Sequence, residues 1–334
     1  MKMIWILLLT TVTVHAQELK WQRIEANTTA SFRGLSVVND SIAWVSGTQG
    51  WVGRTTNGGQ SWDFVQVPTF DQVDFRSLYA MSKQKAIIAN AGSPANILMT
   101  ADGGQTWRTV YTNAHADAFF DGMSFWNDKE GMIYGDPIGG KLLLLITHDG
   151  GESWQEVKQA PVLNTGEASF AASGTGIRCM EKNRVVIATG GKVSRLLRSS
   201  DMGKTWRSYS PPILQGEPST GIFSVAFRND TDGIVVGGNY LLDSVRTNHV
   251  LYTKDGGKKW MAPVVPTRGY RECVEYITTQ MVIAVGPSGS DISRDGGMTW
   301  GALSDEKGFH VVQKARKGSL VLAAGGKGLI AVLK

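Results

Sequence analysis

The sequence contains little cysteine and proline, and it has no long apolar run after its first residues. Among 334 residues there are 2 cysteines and 10 prolines. Cys179 and Cys273 form no CxxC pair, which excludes haem-attachment and zinc-ribbon motifs. Basic and acidic residues are scattered, and the formal charge is only +5, which disfavours nucleic-acid binding. No dinucleotide fingerprint follows a predicted strand, so we expect neither a cofactor nor a metal.

The apolar segment at the start of the chain has the pattern of a secretory signal peptide. Residues 1–16, MKMIWILLLTTVTVHA, combine Lys2 with an apolar stretch and a small-residue cleavage site ending at Ala16. Such a segment is too short for a membrane anchor. Gln17 follows the predicted cut, so a lipoprotein anchor is not indicated. We expect a secreted or periplasmic monomer in which residues 17–334 form a single domain without a membrane span.

The chain is instead rich in glycine, with 40 residues, and carries an eight-residue box in six copies. The copies are Thr55–Trp62, Thr100–Trp107, Thr147–Trp154, Ser199–Trp206, Thr253–Trp260 and Ser293–Trp300. A repeat of about 40–50 residues is typical of four-stranded propeller blades. Because a catalytic site needs one base or nucleophile rather than six, the box is interpreted as a structural turn. Its acceptor residues are Asn57, Asp102, Asp149, Asp201, Asp255 and Asp295.

The segments around the box predict the strands of one blade. In the second unit, Phe75–Ala80, Lys85–Asn90 and Asn96–Thr100 are short strands, and the box turns the chain into Thr106–Tyr111. Three further strands follow the sixth box, whereas Glu18–Ile24 has the pattern of an isolated fourth strand. The prediction is an all-β, seven-bladed β-propeller of antiparallel blades. The N-terminal strand closes its last blade and removes the free sheet edges.

The box matches the Asp-box, or BNR, pattern Ser/Thr-x-Asp-x-Gly-x-Thr-Trp, most closely in Thr100–Trp107 and Ser199–Trp206. The blade segment Gly47–Trp62 resembles the photosystem II assembly-factor family of propellers and its non-photosynthetic bacterial relatives. This resemblance implies a propeller whose ligands bind on the face opposite the boxes. Asp boxes also occur in sialidases and other glycosidases, so the pattern does not decide whether the chain is an enzyme.

The starts of the inner strands supply the candidate ligand site. When these strands are aligned, their second residues predict a ring at the mouth of the central channel, formed by Arg33, Arg76, Asp121, Arg178, Phe223, Arg271 and His310. Arginine binds carboxylate and phosphate through a bidentate fork. The ring therefore predicts a protein partner or a small anionic ligand (a carboxylate, sugar acid or phosphate). Links and turns on the same face add Asp117, Asp136, Glu167, Glu217, Asn239 and Tyr240.

Three functions remain open at this point. The first is a non-enzymatic binding or assembly scaffold, and the second is a sialidase-like glycoside hydrolase with a tyrosine nucleophile. Arg33 is followed by Gly34-Leu35 rather than by the Ile-Pro of the sialidase motif, and no catalytic residue can be assigned. The third, a propeller oxidoreductase, lacks a cofactor motif. Alternatively, the arginines pair with neighbouring acids and only line a solvated channel.

Overall fold

The computed structural model describes residues 19–334, and the regular secondary structure of these residues is almost entirely β-strand. The predicted signal peptide lies outside the described residues. Among the described residues, one 3-10 turn, Thr48–Gly50, lies between the strands. Residues 19–334 contain no helix with the length and apolar character needed to span a bilayer.

The strands are short and follow one another closely along the chain. In chain order they are β1 (Trp21–Ile24), β2 (Phe32–Val37), β3 (Ala43–Gly47), β4 (Trp51–Thr55), β5 (Asp63–Gln66), β6 (Phe75–Ala80), β7 (Ala86–Asn90), β8 (Ala95–Thr100), β9 (Arg108–Asn113), β10 (Phe120–Phe125), β11 (Gly131–Ile138), β12 (Lys141–Thr147), β13 (Gln155–Glu156), β14 (Glu167–Ala168), β15 (Ile177–Met180), β16 (Arg184–Ala188), β17 (Gly190–Gly191), β18 (Leu196–Ser199), β19 (Arg207–Tyr209), β20 (Thr220–Phe227), β21 (Gly233–Asn239), β22 (Val250–Thr253), β23 (Cys273–Tyr276), β24 (Val282–Gly286), β25 (Gly289–Ser293), β26 (Gly301–Ser304), β27 (Phe309–Lys314), β28 (Val321–Gly325) and β29 (Ile330–Leu333).

These strands form seven antiparallel blades, as predicted. Blade one pairs in the order β2-β3-β4-β5, and the other blades repeat this meander. The inner strands of successive blades contact one another in the order β2, β6, β10, β15, β20, β23, β27 and back to β2, which closes the ring. In blade five the outer strand is reduced to the bridge between Tyr252 and Met261, and β17 and β14 add to its inner edge.

The N-terminal strand completes blade seven, and this predicted closure is confirmed. β1 pairs antiparallel with β29, with Trp21 opposite Leu333 and Ile24 opposite Ile330. The strand begins at Trp21 rather than at the predicted Glu18. The Trp21 indole donates a hydrogen bond of 2.9 Å to Ser290 of blade six. The closing strand therefore joins blade seven to its neighbour as well as to its own sheet.

Each box is the turn between the third and fourth strands of a blade. In the third copy, the Thr147 hydroxyl accepts from the buried Gly151 amide at 2.9 Å and donates to Asp149 at 2.8 Å. Asp149 also accepts from the Ser153 amide and hydroxyl at 3.0 and 2.6 Å. The amide-to-hydroxyl bond recurs in the other boxes at Gly59, Gly104, Gly203, Gly257 and Gly297. The box hydroxyl and carboxylate thus form their hydrogen bonds within the turn, on the face that we call the lower face.

Candidate functional site

The link between blades three and four fills the upper end of the central channel. We call its segment 169–176 the plug. Gly174 forms a parallel bridge to Gly122 of blade three. Its hydrogen bonds to other blades run from Arg33 of blade one to the Ala172 carbonyl (2.6 Å), from Ser173 to the Glu272 carbonyl of blade six (2.9 Å), and between Thr175 and Ser224 of blade five (2.6 Å). The plug therefore separates a cleft on the upper face from a cavity below it.

The upper cleft has a volume of about 410 Å³ and is lined by Arg33, Arg76, Asp121, Asp136, Tyr240 and the plug, among other residues. Three of its lining residues lie at β-bulges near the start of the inner strands, where one residue is left out of the ladder, and two further blades have the same bulge. The bulged residues are Arg33, Arg76, Asp121, Phe223 and His310. In these five blades the second residue of the aligned inner strand is thus the bulged residue.

The predicted register was wrong in blades four and six. Arg178 pairs with Val186 in a regular ladder, so it lies deeper along its strand than the bulged position. It lines the cavity of about 170 Å³ below the plug, where its guanidinium lies 2.6 Å from Glu275. β15 begins at Ile177, as in the alignment, but its ladder has no bulge at the second residue. β23 begins at Cys273, three residues after the aligned Tyr270.

Arg271 is also displaced from the predicted ring. It is fully buried, and its guanidinium contacts the equally buried Asp291, with the Nε–Oδ2 distance at 2.7 Å. The next residue, Glu272, occupies the position that corresponds to Arg33, because its amide bonds to the Val285 carbonyl beside the Cys273–Val285 pair. Blade six thus contributes an acid to the upper face where the sequence predicted a base.

The arginines that do reach the cleft are paired with acids. Arg33 Nη1 lies 2.9 Å from Glu272 Oε2, and His310 Nδ1 lies 2.7 Å from the same oxygen. Arg76 Nε lies 2.6 Å from Asp74. Burial opposes the ionisation of Glu272, but Arg33 and His310 outweigh it and hold its pKa below the ordinary value. Within residues 19–334, Arg33 Nη2 and both terminal nitrogens of Arg76 make no hydrogen bond and remain free to bind an anion.

Two aspartates of blade three lie beside these arginines. Asp121 is fully buried, and neither of its carboxylate oxygens has a hydrogen-bond partner among the described residues. Burial and the nearby Asp136 raise the pKa of Asp121 well above its ordinary value, although Arg76 opposes the shift. Asp136 accepts a bond of 3.0 Å from the Ser169 amide, and burial raises its pKa too.

Aromatic side chains form the other wall of the cleft. Phe170 of the plug stacks on Phe223 with ring centroids 3.8 Å apart and planes at 5°. Tyr240 meets both rings edge-on, and Tyr270 meets Phe223 in the same way at 4.8 Å. Tyr240 is 49% exposed and begins a surface loop. Sequence reasoning named Tyr240 but missed Phe170 as part of the site, because nothing in the link signals that it enters the channel.

Glu167 was predicted at the site, but it faces blade four. Its carboxylate accepts from Arg195 at 2.8 Å, from the Thr189 hydroxyl at 2.6 Å and from the Asn164 amide at 2.8 Å. It is buried, and both of its carboxylate oxygens accept hydrogen bonds from these residues. We conclude that Glu167 anchors the chain just before the plug.

Both cysteines are free thiols.

Comparison with known sequences identifies relatives of one kind. The sequence model of the family described as photosynthesis system II assembly factor YCF48 matches residues 13–116 and 90–180, half of the chain. The photosystem II assembly lipoprotein Ycf48 of Synechococcus sp. (strain CC9902) is 23% identical over 290 residues, which cover 84% of this chain and 77% of that protein.

Solved structures show the same architecture. YCF48 bound to D1 peptide superposes with a TM-score of 0.68 at 17% identity, covering 93% of this chain and 96% of that one. YCF48 from Cyanidioschyzon merolae gives 0.68 at 15% identity, covering 94% and 98%. The GH74 enzyme of Niastella koreensis gives 0.61 at 14% identity and covers 90% of this chain but 51% of the enzyme. At these identities the structural likeness supports the fold alone.

Proposed function

Because the chain belongs to the photosynthesis system II assembly factor YCF48 family, we propose that it is a binding and assembly scaffold that takes a segment of a protein partner into the upper cleft. One solved relative is YCF48 bound to D1 peptide. We infer that the ligand of this chain is also a peptide segment, and that the side chains of its own cleft select the partner.

The observation that carries the proposal is the pair of arginines with unused donors at the cleft. Arg33 and Arg76 are held by Glu272 and Asp74 through one side of each guanidinium. Their side chains are 20% and 33% exposed. A carboxylate of the partner, from an acidic side chain or a chain end, would accept from the nitrogens that remain free. Charge-assisted hydrogen bonds of this kind add both affinity and orientation.

The sialidase-like alternative is less well supported by the geometry. Tyr270 is nearly fully buried, and burial together with Glu272 raises its pKa well above the ordinary value, which makes it a poor nucleophile. Glu272, the acid nearest to it in sequence, is already engaged by Arg33 and His310. A nucleophile and an acid–base partner directed at one open position are thus not assembled from these residues.

We also propose that the protein works outside the cytoplasm. The Synechococcus relative is named a lipoprotein, and residues 1–16 of this chain have the pattern of a signal peptide. We propose that a signal peptidase cleaves the chain after Ala16. Mass spectrometry of the exported protein would test this, since a mature N-terminus at Gln17 is the expected result.

The binding function is tested with seven-residue peptides that end in a free carboxylate, compared with their amidated counterparts by isothermal titration calorimetry. We expect Arg76→Ala to weaken binding of the free-acid peptides by about tenfold or more, because a hydrogen bond to a charged group contributes about 1.5–3 kcal/mol. Arg23→Ala is the matched control, because Arg23 is an exposed arginine on β1. Equal affinity of both peptide sets for the parent and the Arg76 variant would contradict the proposal. Arginine-dependent turnover of a fluorogenic sialoside would favour the enzyme instead.

A further inference from the structure

The charges around the upper cleft do not balance. Arg33 and Arg76 are each paired with an acid, Glu272 and Asp74. Within residues 19–334, Asp121 and Asp136 have no cationic partner at ion-pair distance, and the two oxygens of Asp121 have no partner of any kind. A buried carboxylate without donors is costly unless something arrives to pair with it. Although both arginines keep unused donors, the charged groups without an oppositely charged partner are thus the two aspartates, whereas the sequence predicted an arginine excess.

We propose that Asp121 and Asp136 form a cation subsite of the upper cleft, which receives a primary ammonium or guanidinium group carried by the bound partner segment. The inference rests on the proposed function and extends it. A segment with one acidic and one basic group would place its carboxylate at Arg33 and Arg76 and its cation at the two aspartates. The cleft would then recognise charge of both signs at neighbouring positions.

The aromatic wall favours an organic cation. Phe170, Tyr240 and Tyr270 line the cleft together with the two aspartates. The face of an aromatic ring attracts a nearby ammonium or guanidinium group through its quadrupole. Within residues 19–334, no group of three or more His, Cys, Asp and Glu side chains is placed to hold a metal ion. Two carboxylates beside aromatic rings thus suit a lysine-like or arginine-like group better than a metal.

Binding of such a cation is coupled to a proton. The groups that face Asp121 are Asp136 and Tyr134 from β11 and Arg76 from β6. Burial and Asp136 raise the pKa of Asp121, so the empty subsite holds its proton to a higher pH than a solvated carboxyl group. A cation favours the ionised form, so its binding releases the proton. Affinity for the cation should therefore rise with pH across the range in which Asp121 titrates.

The test uses n-butylammonium chloride as the probe, with sodium butyrate at the same ionic strength as its charge-inverted control. Calorimetric titrations of the full chain are run in two buffers that differ in ionisation enthalpy, which reports the protons released. We expect saturable binding of n-butylammonium by the parent, with proton release, and at least a tenfold loss of affinity in Asp121→Asn. Asp71→Asn is the matched control, because it changes an exposed acid on an upper-face link outside the cleft.

The outcomes are separable. Equal binding of n-butylammonium by the parent and Asp121→Asn would overturn the subsite, as would no saturable binding by either protein. Butyrate binding that depends on Asp121 would also overturn it, because a protonated Asp121 would then be donating to an anion. If free-acid peptides bind through Arg76 while n-butylammonium does not bind, the proposed function stands and only this inference fails. Asp121→Asn should fold, because it removes no hydrogen bond, and its melting temperature is measured first.

Discussion

Aspartates on the two faces of the ring have opposite surroundings. On the lower face, Asp149 accepts three hydrogen bonds inside its box; burial opposes its ionisation, but the Ser153 and Thr147 donors outweigh it and lower its pKa to about 2. On the upper face, Asp121 accepts no hydrogen bond from residues 19–334, and burial raises its pKa. An aspartate side chain therefore stabilises a turn where hydrogen-bond donors surround its carboxylate, as at Asp149. Where such donors are lacking, as at Asp121, we propose that the carboxylate is available to a ligand.

The largest effect should come from breaking the ring to which both faces belong. Deletion of residues 19–24 removes β1 and exposes the edge of β29. We expect a large fall in melting temperature with aggregation, because an unpaired edge strand recruits other chains. Melting followed by circular dichroism and light scattering checks this. A truncated protein that melts like the parent would contradict the role of β1 in closing the ring.

A box hydroxyl should have an intermediate effect that is confined to the lower face. Thr147→Val leaves the buried Gly151 amide without its acceptor and removes one donor from Asp149. The expected loss is about 1–3 kcal/mol of unfolding free energy, measured by chemical denaturation. Thr147→Ser keeps the hydroxyl and should retain most of the stability. Peptide affinity should be unchanged in both variants, so a loss of binding in Thr147→Val would break the separation between the faces.

The smallest effect should be the pH dependence, and it should have opposite signs on the two faces. The folded-state pKa of Asp121 is raised, so its contribution to stability is present below about pH 4 and is lost as pH rises through the folded value. The Asp149 pKa is lowered to about 2, so its contribution is present above about pH 4 and is lost as pH falls toward 2. Across pH 2–9, the melting temperature of Asp121→Asn should fall less steeply than that of the parent as pH rises above about 4, and that of Asp149→Asn should fall less steeply as pH decreases below about 4. Identical profiles for parent and variants would remove this contrast.

The architecture was predictable because its signals repeat. Six boxes set the blade length, and an isolated N-terminal strand pattern set the closure, so errors at single positions did not alter the result. The upper face offered no such redundancy. A shift of one residue moved Arg271 from the predicted ring into the buried pair with Asp291, since the position of a bulge depends on tertiary packing.

For a related reason, the sequence could not predict which charged groups of the cleft are paired with one another. Asp121 was correctly placed on the upper face, but its isolation depends on which neighbours reach it. Glu272 forms an ion pair with Arg33, which lies far from it in the sequence. Arg195 forms an ion pair with Glu167, and no sequence motif marks this pair. The plug has a small-residue sequence, SFAASGTG, that reads as an ordinary loop. Only its hydrogen bonds to four blades identify it as the floor of the cleft.

The plug also bears on how the chain acquires its structure. Repeat proteins whose units touch only their neighbours have a stability that is close to a sum of local terms, and folding can spread from any unit. The segment 169–176 instead joins Arg33 of blade one to Ser224 of blade five and to the backbone at Glu272 of blade six. These contacts form only when the chain has been made as far as blade six, and their large sequence separation slows the search for them. We therefore expect that the early blades reach their full stability only after the late blades have been synthesised, and that the ring unfolds as one cooperative unit.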